Sequence, residues 1–326
     1  MTFDAAARAP IADTGKSETP STARSIAAQL ARRPYEIVHP SGPAAPVVLA
    51  SPHSGRRYPE DMLRASRLDP MTLRKSEDSF VEEIFGDGPR SGAPLIHALF
   101  PRAYVDVNRE PYELDPRMFA DPLPSYVNWR TARVAGGLGT IARIVADGHE
   151  IYCRKLTFAE AQRRIQQCYA PYHAALRRLI ADAKSRFGAA ILIDCHSMPS
   201  VGGPFDRDSG RPRTDIVIGD RFGEACAPAI VSLAEKFLSD RGYCVLRNTP
   251  YAGGYTTAHY GRPRNGVHSL QIEINRALYM DESKIQRTEG IVRLRADMAA
   301  LIREIAAIDP RAVASRPARA PRRANG

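Results

Sequence analysis

Short runs of uninterrupted apolar residues, each closed by a polar cluster, recur through the middle of the chain. Residues 47–50 (Val-Val-Leu-Ala) stop at Ser51-Pro52-His53, residues 95–100 lead into 103–109, and residues 190–193 stop at Asp194-Cys195-His196. Residues 215–219 and 270–274 add two more such runs. Apolar stretches of this length without polar alternation predict strands covered on both faces, as in a mostly parallel sheet. Between them, amphipathic helices are predicted over 76–85, 157–187, 225–240 and 282–308. This alternation predicts an α/β sandwich, in which ligands bind beyond the carboxyl ends of the strands. The polar residues that close each run are therefore the first place to look for chemistry.

The ends of the chain break the pattern. Residues 1–33 are rich in Ala, Ser, Thr and Pro, carry only a short helical stretch over 23–32, and predict a mobile leader. Residues 311–326 hold Pro317 and Pro321 among Arg and Ala and predict a basic disordered tail. Residues 34–310 are left as one domain, with no internal repeat. The chain has 46 Lys and Arg against 36 Asp and Glu, a net charge of +10. Five arginines and no acid fall in the tail, and the leader adds five basic residues against three acids, so most of the excess is terminal. A nucleic-acid partner is thus a remote alternative carried by the tails alone. No apolar run has the length of a membrane span, and no basic segment precedes an apolar one as a secretory signal requires, so the expected compartment is the cytoplasm. The cysteines, Cys153, Cys168, Cys195, Cys226 and Cys244, form no CxxC pair, which argues against a disulfide framework or a thiolate zinc knuckle.

Two histidines, His53 and His196, each follow an apolar strand among small residues, where two imidazoles can converge on one metal ion. A catalytic zinc takes three protein ligands, so a carboxylate must join them, and Asp78, Glu77 and Glu60 are the candidates. Asp194, two residues before His196, suits a partner for the far ring N–H of a ligating histidine. Glu273 interrupts an otherwise apolar strand, where a carboxylate is costly unless it serves a purpose, and it is a candidate general base. Asn108 and Arg109 stand side by side at a predicted strand end; a guanidinium fork grips carboxylates. Residues 248–266, with Tyr255, Arg262 and Arg264 among glycines, suit a substrate-covering loop. Residues 135–140 (Ala-Gly-Gly-Leu-Gly-Thr) lack the spacing of a phosphate cradle and read as a turn. Ser54, Ser197 and Cys195 neighbour histidines without the setting of a nucleophile.

Together, Ser-Pro-His53-Ser-Gly, Asp106-Val-Asn108-Arg109-Glu, Asp194-Cys-His196-Ser and Gln271-Ile-Glu273-Ile-Asn-Arg resemble, in order, the N-formylglutamate amidohydrolase family. Residues 100–110 and 250–257 strengthen the resemblance, which runs from about residue 36 to residue 305. That family is similar to the zinc carboxypeptidase and aspartoacylase group, which implies a three-layer α/β/α sandwich around a mixed, mostly parallel sheet. In that group a Glu ligand follows the first metal histidine by three residues. Here Arg56 stands there, and the resemblance places the third ligand at Asp78 first and Glu77 second. It implies hydrolysis of N-formyl-L-glutamate to formate and L-glutamate, a step of histidine catabolism, by a water activated on a divalent metal, Zn²⁺ by preference. Glu273 is then the base, Asn108 and Arg109 hold the dicarboxylate and help stabilise the tetrahedral oxyanion, and Arg264 or Arg262 meets the second carboxylate, with Tyr255 completing substrate binding. Another N-acyl amino acid or a small peptide is the alternative substrate.

Overall fold

The structure, a computed structural model, describes residues 25–145, 148–204, 206 and 208–313. Seven strands form one sheet: β1 (Tyr35–Val38), β2 (Val47–Ser51), β3 (Leu95–Ala98), β4 (Ala190–Met198), β5 (Ile216–Gly219), β6 (Val245–Arg247) and β7 (Val267–Asn275). Their order is β1-β3-β2-β4-β7-β5-β6, with β1 antiparallel to β3, β5 antiparallel to β7, and the other neighbours parallel. The expected mixed, mostly parallel sheet is present.

Alternate residues of the central strands feed two cores. On one face Val48, Ala50, Ile96, Ala190 and Leu192 pack with Tyr172, Leu176 and Ile180 of the helix Ala170–Phe187. On the other, Leu49, Ile191, Ile193 and Ile272 meet the helices Pro228–Asp240 and Gly290–Ala306 through Ile230, Leu238, Met298 and Ile302. These are the three layers of an α/β/α sandwich.

Several elements differ from the sequence pattern. The strand ending in His196 runs on to Met198, so this histidine lies inside β4. Residues 76–80 are a turn and not the first turn of a helix: Phe80 has φ 70°, and only Val81–Ile84 is helical beyond it. The predicted strand over 103–109 is a run of turns. Residues 280–287 form a small hairpin, so the last long helix starts at Gly290 and not near 282. Part of the expected leader is built into the domain, because Ile26–Arg32 is helical and Leu30 is buried in the core. The expected tail likewise begins with a short helix, Pro310–Val313, whose Val313 carbonyl accepts from His268 Nε2 at 2.8 Å. The rest of the leader and tail, 1–24 and 314–326, lies outside the described residues. Among the described residues no helix is long and apolar enough to cross a membrane.

Candidate functional site

The carboxyl ends of β2, β4 and β7 bring the chemistry together. β4 and β7 run parallel with Asp194 opposite Gln271 and His196 opposite Glu273. All four share the face that carries Ala190 and Leu192, because side chains alternate along a strand. His53 enters from the turn after β2. Gly55 lets that turn lie flush on the next one, since a Cβ there would sit 2.2 Å from the Phe100 carbonyl oxygen. The buried residues His53, Asp78 and His196 each aim one donor atom into a common space, all within 4.8 Å of one another.

Hydrogen-bond partners assign the imidazole tautomers. His53 Nε2 lies 2.7 Å from Asp106 Oδ1, so it carries the proton and leaves Nδ1 as a lone pair. That Nδ1 is buried with no hydrogen-bond partner, 3.4 Å from Asp78 Oδ2. His196 is held differently: its Nδ1 is 3.0 Å from the same Asp78 Oδ2, while its Nε2 lies 3.1 Å from the Asn108 amide nitrogen and 3.0 Å from Asp194 Oδ1, the latter out of line for a full hydrogen bond. Both rings turn Nδ1 inward; His53 backs onto Asp106, the partnership that orients metal-binding histidines, and His196 backs onto the Asn108 amide with Asp194 alongside. Asp78 is fixed by its own N–H to the His53 carbonyl at 3.1 Å and by Arg276 Nη2 on Oδ1 at 3.1 Å.

This donor set of two imidazole nitrogens and one carboxylate oxygen fits a divalent ion, and the orphaned His53 Nδ1 is the atom such an ion would satisfy. The surrounding carboxylates favour positive charge at this point. Burial works against a charged His196, yet Asp194, Asp78 and Glu273 overcome it and raise its pKa well above the ordinary value. Asp78 and Asp106 are both held well below the usual carboxylate range. Burial opposes this and is outweighed by the two histidines at Asp78, and by His53, Arg102 and Arg109 at Asp106.

Glu273 accepts from Gln271 Nε2 at 2.7 Å. Burial pushes its pKa up to about 7, with His196 and Arg102 opposing and Asp78 and Asp194 assisting. Asn108 reaches the cluster with Nδ2 3.1 Å from His196 Nε2, while its Oδ1 accepts from the Thr256 N–H at 2.8 Å. Gly254 packs flat on this amide, where a Cβ would stand 2.4 Å from Nδ2. Arg109 donates from Nε to the Leu138 carbonyl and from Nη1 to the Asn108 carbonyl. Burial pulls its guanidinium down to about 10, against the attraction of Asp106 and with added repulsion from Arg133 and Arg102.

Other candidates lie elsewhere. Glu77 turns away from the cluster to Tyr58, Arg74 and Ser79, and Glu60 accepts from the Ile26 N–H. Arg56 points to Glu82 and Glu83. Arg264 is exposed just before β7, at its amino end. Glu273 is six strand residues beyond Val267, roughly 20 Å away at about 3.3 Å per residue, so Arg264 is not part of the site. The stretch 248–266 is not one loop, because Tyr255–Tyr260 is a helix that carries the chain back along the sheet. Tyr255 packs its ring on His173 and His259 instead of on the histidine pair. Arg102 and Arg133 bear no mark in the sequence, while Gln271 and Arg276 stand there only as neighbours of Glu273; the fold sets Gln271 on Glu273 and Arg276 on Asp78.

An acid titrating near neutrality, set against donors arranged for a cation at the strand ends of an α/β/α sandwich, places the molecule among the hydrolytic α/β enzymes. Comparison with known proteins narrows the class. The chain belongs to the N-formylglutamate amidohydrolase family, whose model matches residues 45–280. It is 28% identical over 268 residues to an N-formylglutamate deformylase of Pseudomonas aeruginosa, covering 80% of this chain and 91% of that protein. To the N-formylglutamate deformylase of Pseudomonas putida it is 26% identical over 242 residues, 73% of this chain and 83% of the relative. The crystal structure of N-formylglutamate amidohydrolase from Ralstonia eutropha superposes with a TM-score of 0.79 at 40% identity, covering 86% of this chain and 99% of that one.

Proposed function

We propose that this chain hydrolyses N-formyl-L-glutamate to formate and L-glutamate, with a divalent metal held by His53, Asp78 and His196 and with Glu273 as the general base. The single observation that carries this reading is the register pairing of Glu273 with His196, which sets a neutral-titrating acid beside the converging Nδ1 atoms. The relatives' activity supplies the substrate. Two imidazoles and a carboxylate are the donor set of many catalytic zinc sites, and the ion would supply Lewis acidity toward the formyl carbonyl.

The remaining work falls to the chain. Glu273 takes a proton from the water that attacks the formyl carbon and returns it to the glutamate nitrogen as the C–N bond breaks. Asp106 holds the His53 imidazole in the tautomer that points Nδ1 inward, and Asp194 beside His196 adds negative charge that favours a cation at the cluster. Arg102, anchored by Asp106 at 2.9 Å, provides positive charge near Glu273 that offsets the crowd of carboxylates. The Arg109 guanidinium, with Asn108, grips one substrate carboxylate. Arg133 takes the second, the role the sequence suggested for Arg264: it is half-buried, close enough to repel Arg109, and has no ion-pair partner among the described residues.

Formate release measured on N-formyl-, N-acetyl- and N-succinyl-glutamate, alongside metal analysis of the purified protein, tests the reading. A preference for the formyl substrate and one bound divalent ion per chain are expected. Full activity in metal-free protein, or no turnover of the formyl compound, overturns it.

A further inference from the structure

Residues 101–109 carry Asp106, Asn108 and Arg109 into the site, yet they belong to no strand or helix whose ladder could hold their backbone. Buried backbone carbonyls must nonetheless be satisfied. Three consecutive ones are satisfied by side chains. The Val107 carbonyl lies 2.8 Å from His173 Nε2, the Asn108 carbonyl accepts from Arg109 Nη1 at 3.0 Å, and the Arg109 carbonyl accepts from the Tyr169 hydroxyl at 2.8 Å. A carbonyl only accepts, so His173 carries its proton on Nε2. Its Nδ1 then accepts from the Tyr260 hydroxyl at 2.8 Å. Burial lowers the His173 pKa to about 4, so the ring is neutral at physiological pH.

Tyr169 and His173 are four residues apart at the junction where a π-helical turn, Ile165–Tyr169, meets the helix Ala170–Phe187. Pro171 lies between them and has no N–H to give the helix ladder, and the wider turn accommodates it while bringing the two ring centroids to 4.3 Å, tilted by 40°. The same ring of His173 is flanked by Tyr255 and Tyr260. Those residues belong to the helix whose Thr256 N–H fixes the Asn108 amide. One buried imidazole therefore touches both segments that position Asn108.

We infer that Tyr169 and His173 are positioning residues for substrate binding: through the carbonyls of Arg109 and Val107 they clamp the backbone on either side of Asn108. They thereby aim the Asn108 amide and the Arg109 guanidinium at the substrate. This inference rests on the assignment of Asn108 and Arg109 to substrate binding.

The test uses Tyr169→Phe, which deletes one hydroxyl, with His173→Phe and His173→Gln, the last keeping an N–H near the position of Nε2. Formate-release kinetics, metal content and hydrogen exchange of the segment 103–110 are measured on each. Expected are a KM for N-formylglutamate raised about fivefold in Tyr169→Phe, as loss of one ordinary hydrogen bond gives, and more in His173→Phe. The kcat should stay within about threefold and metal content should be unchanged, with exchange in 103–110 accelerated and His173→Gln restoring most of the KM. Unchanged KM and unchanged exchange in Tyr169→Phe overturn the clamp, as does a His173→Gln variant no better than His173→Phe. If the wild-type protein does not turn over N-formylglutamate, the exchange data alone decide: acceleration in Tyr169→Phe keeps the clamp and rejects only the substrate, and no acceleration rejects the clamp.

Discussion

His196 and Glu273 stand directly opposite each other on the parallel strands β4 and β7, both on the same face of the sheet and both buried. Strand register alone therefore sets the spacing between the proposed metal-binding imidazole and the proposed base, so neither depends on a loop for its placement. Replacing Glu273 by Gln keeps the shape and the Gln271 contact region while removing the proton acceptor. Turnover is expected to fall by about 10² to 10⁴-fold, the usual worth of a positioned acid or base, with metal content unchanged. Measured turnover within threefold of wild type would remove Glu273 from the reaction.

The pH dependence follows from the same carboxyl. Its pKa is pushed up to about 7 by burial, and the base must be ionised to act, so kcat/KM should fall as pH drops. A bound cation beside it stabilises the ionised form, which puts the midpoint of the acid limb at or below about 7 in the loaded enzyme. Stability moves the other way in metal-free protein. A carboxyl whose folded pKa is raised costs stability increasingly as pH climbs from its unfolded value of roughly 4.3 through about 7. Metal-free Glu273→Gln should accordingly melt higher than metal-free wild type at pH 8 and not at pH 4, a comparison thermal denaturation reads directly.

The cluster of His53, Asp78 and His196 makes a separate claim. Exhaustive chelation should abolish formate release, and stoichiometric Zn²⁺ should restore it while raising the melting temperature, because an ion that binds only the folded state stabilises by mass action. His53→Ala should leave the protein folded with less than one ion per chain. Metal-free protein that works at the wild-type rate is the outcome that fails this prediction.

Much of the site was legible in the sequence for one physical reason: polar residues that interrupt or close an apolar strand run are expensive there. That cost marked His53, Asp194, His196 and Glu273. The residues that support them carry no such mark. Arg276 reaches Asp78 across 198 positions of sequence, and Asp106 reaches His53 across 53. Such pairs exist only after the sheet has assembled. Arg264 shows the converse error, since a Gly-rich stretch looked like one loop near the strand ends although an internal helix carries it to the far end of β7. The turn at Asp78 escaped detection because a left-handed residue, Phe80, stands where the pattern continues as helix.

Arg276 has a testable consequence. Its three donor contacts, to Ser197 Oγ, the Lys75 carbonyl and Asp78 Oδ1, tie the proposed third ligand to the end of β7. Groups that orient a metal ligand usually matter about 10 to 100-fold in affinity. Arg276→Met should weaken metal binding by that amount in competition with a chromogenic chelator. Arg276→Lys should recover little, because one ammonium cannot reproduce the fork. Wild-type affinity in Arg276→Met would show that Asp78 holds its orientation without it.

In the proposed reading, specificity for a dicarboxylate rests on Arg109 and Arg133. Arg109 is largely committed through Nε and Nη1 to backbone carbonyls, so it is held rigidly enough to grip one carboxylate in a fixed direction. Its neighbour Arg133 makes no ion pair among the described residues, and two guanidinium groups near each other are mutually repulsive until an anion lies between them. Arg133→Ala should therefore raise the KM for N-formylglutamate about tenfold or more while leaving that for N-formylglutamine, which lacks the side-chain carboxylate, within about twofold. The wild-type preference for the acid over the amide would then shrink in the variant by the ratio of those effects. Equal losses on both substrates would assign Arg133 to the α-carboxylate or to the fold, and the second carboxylate would need another partner.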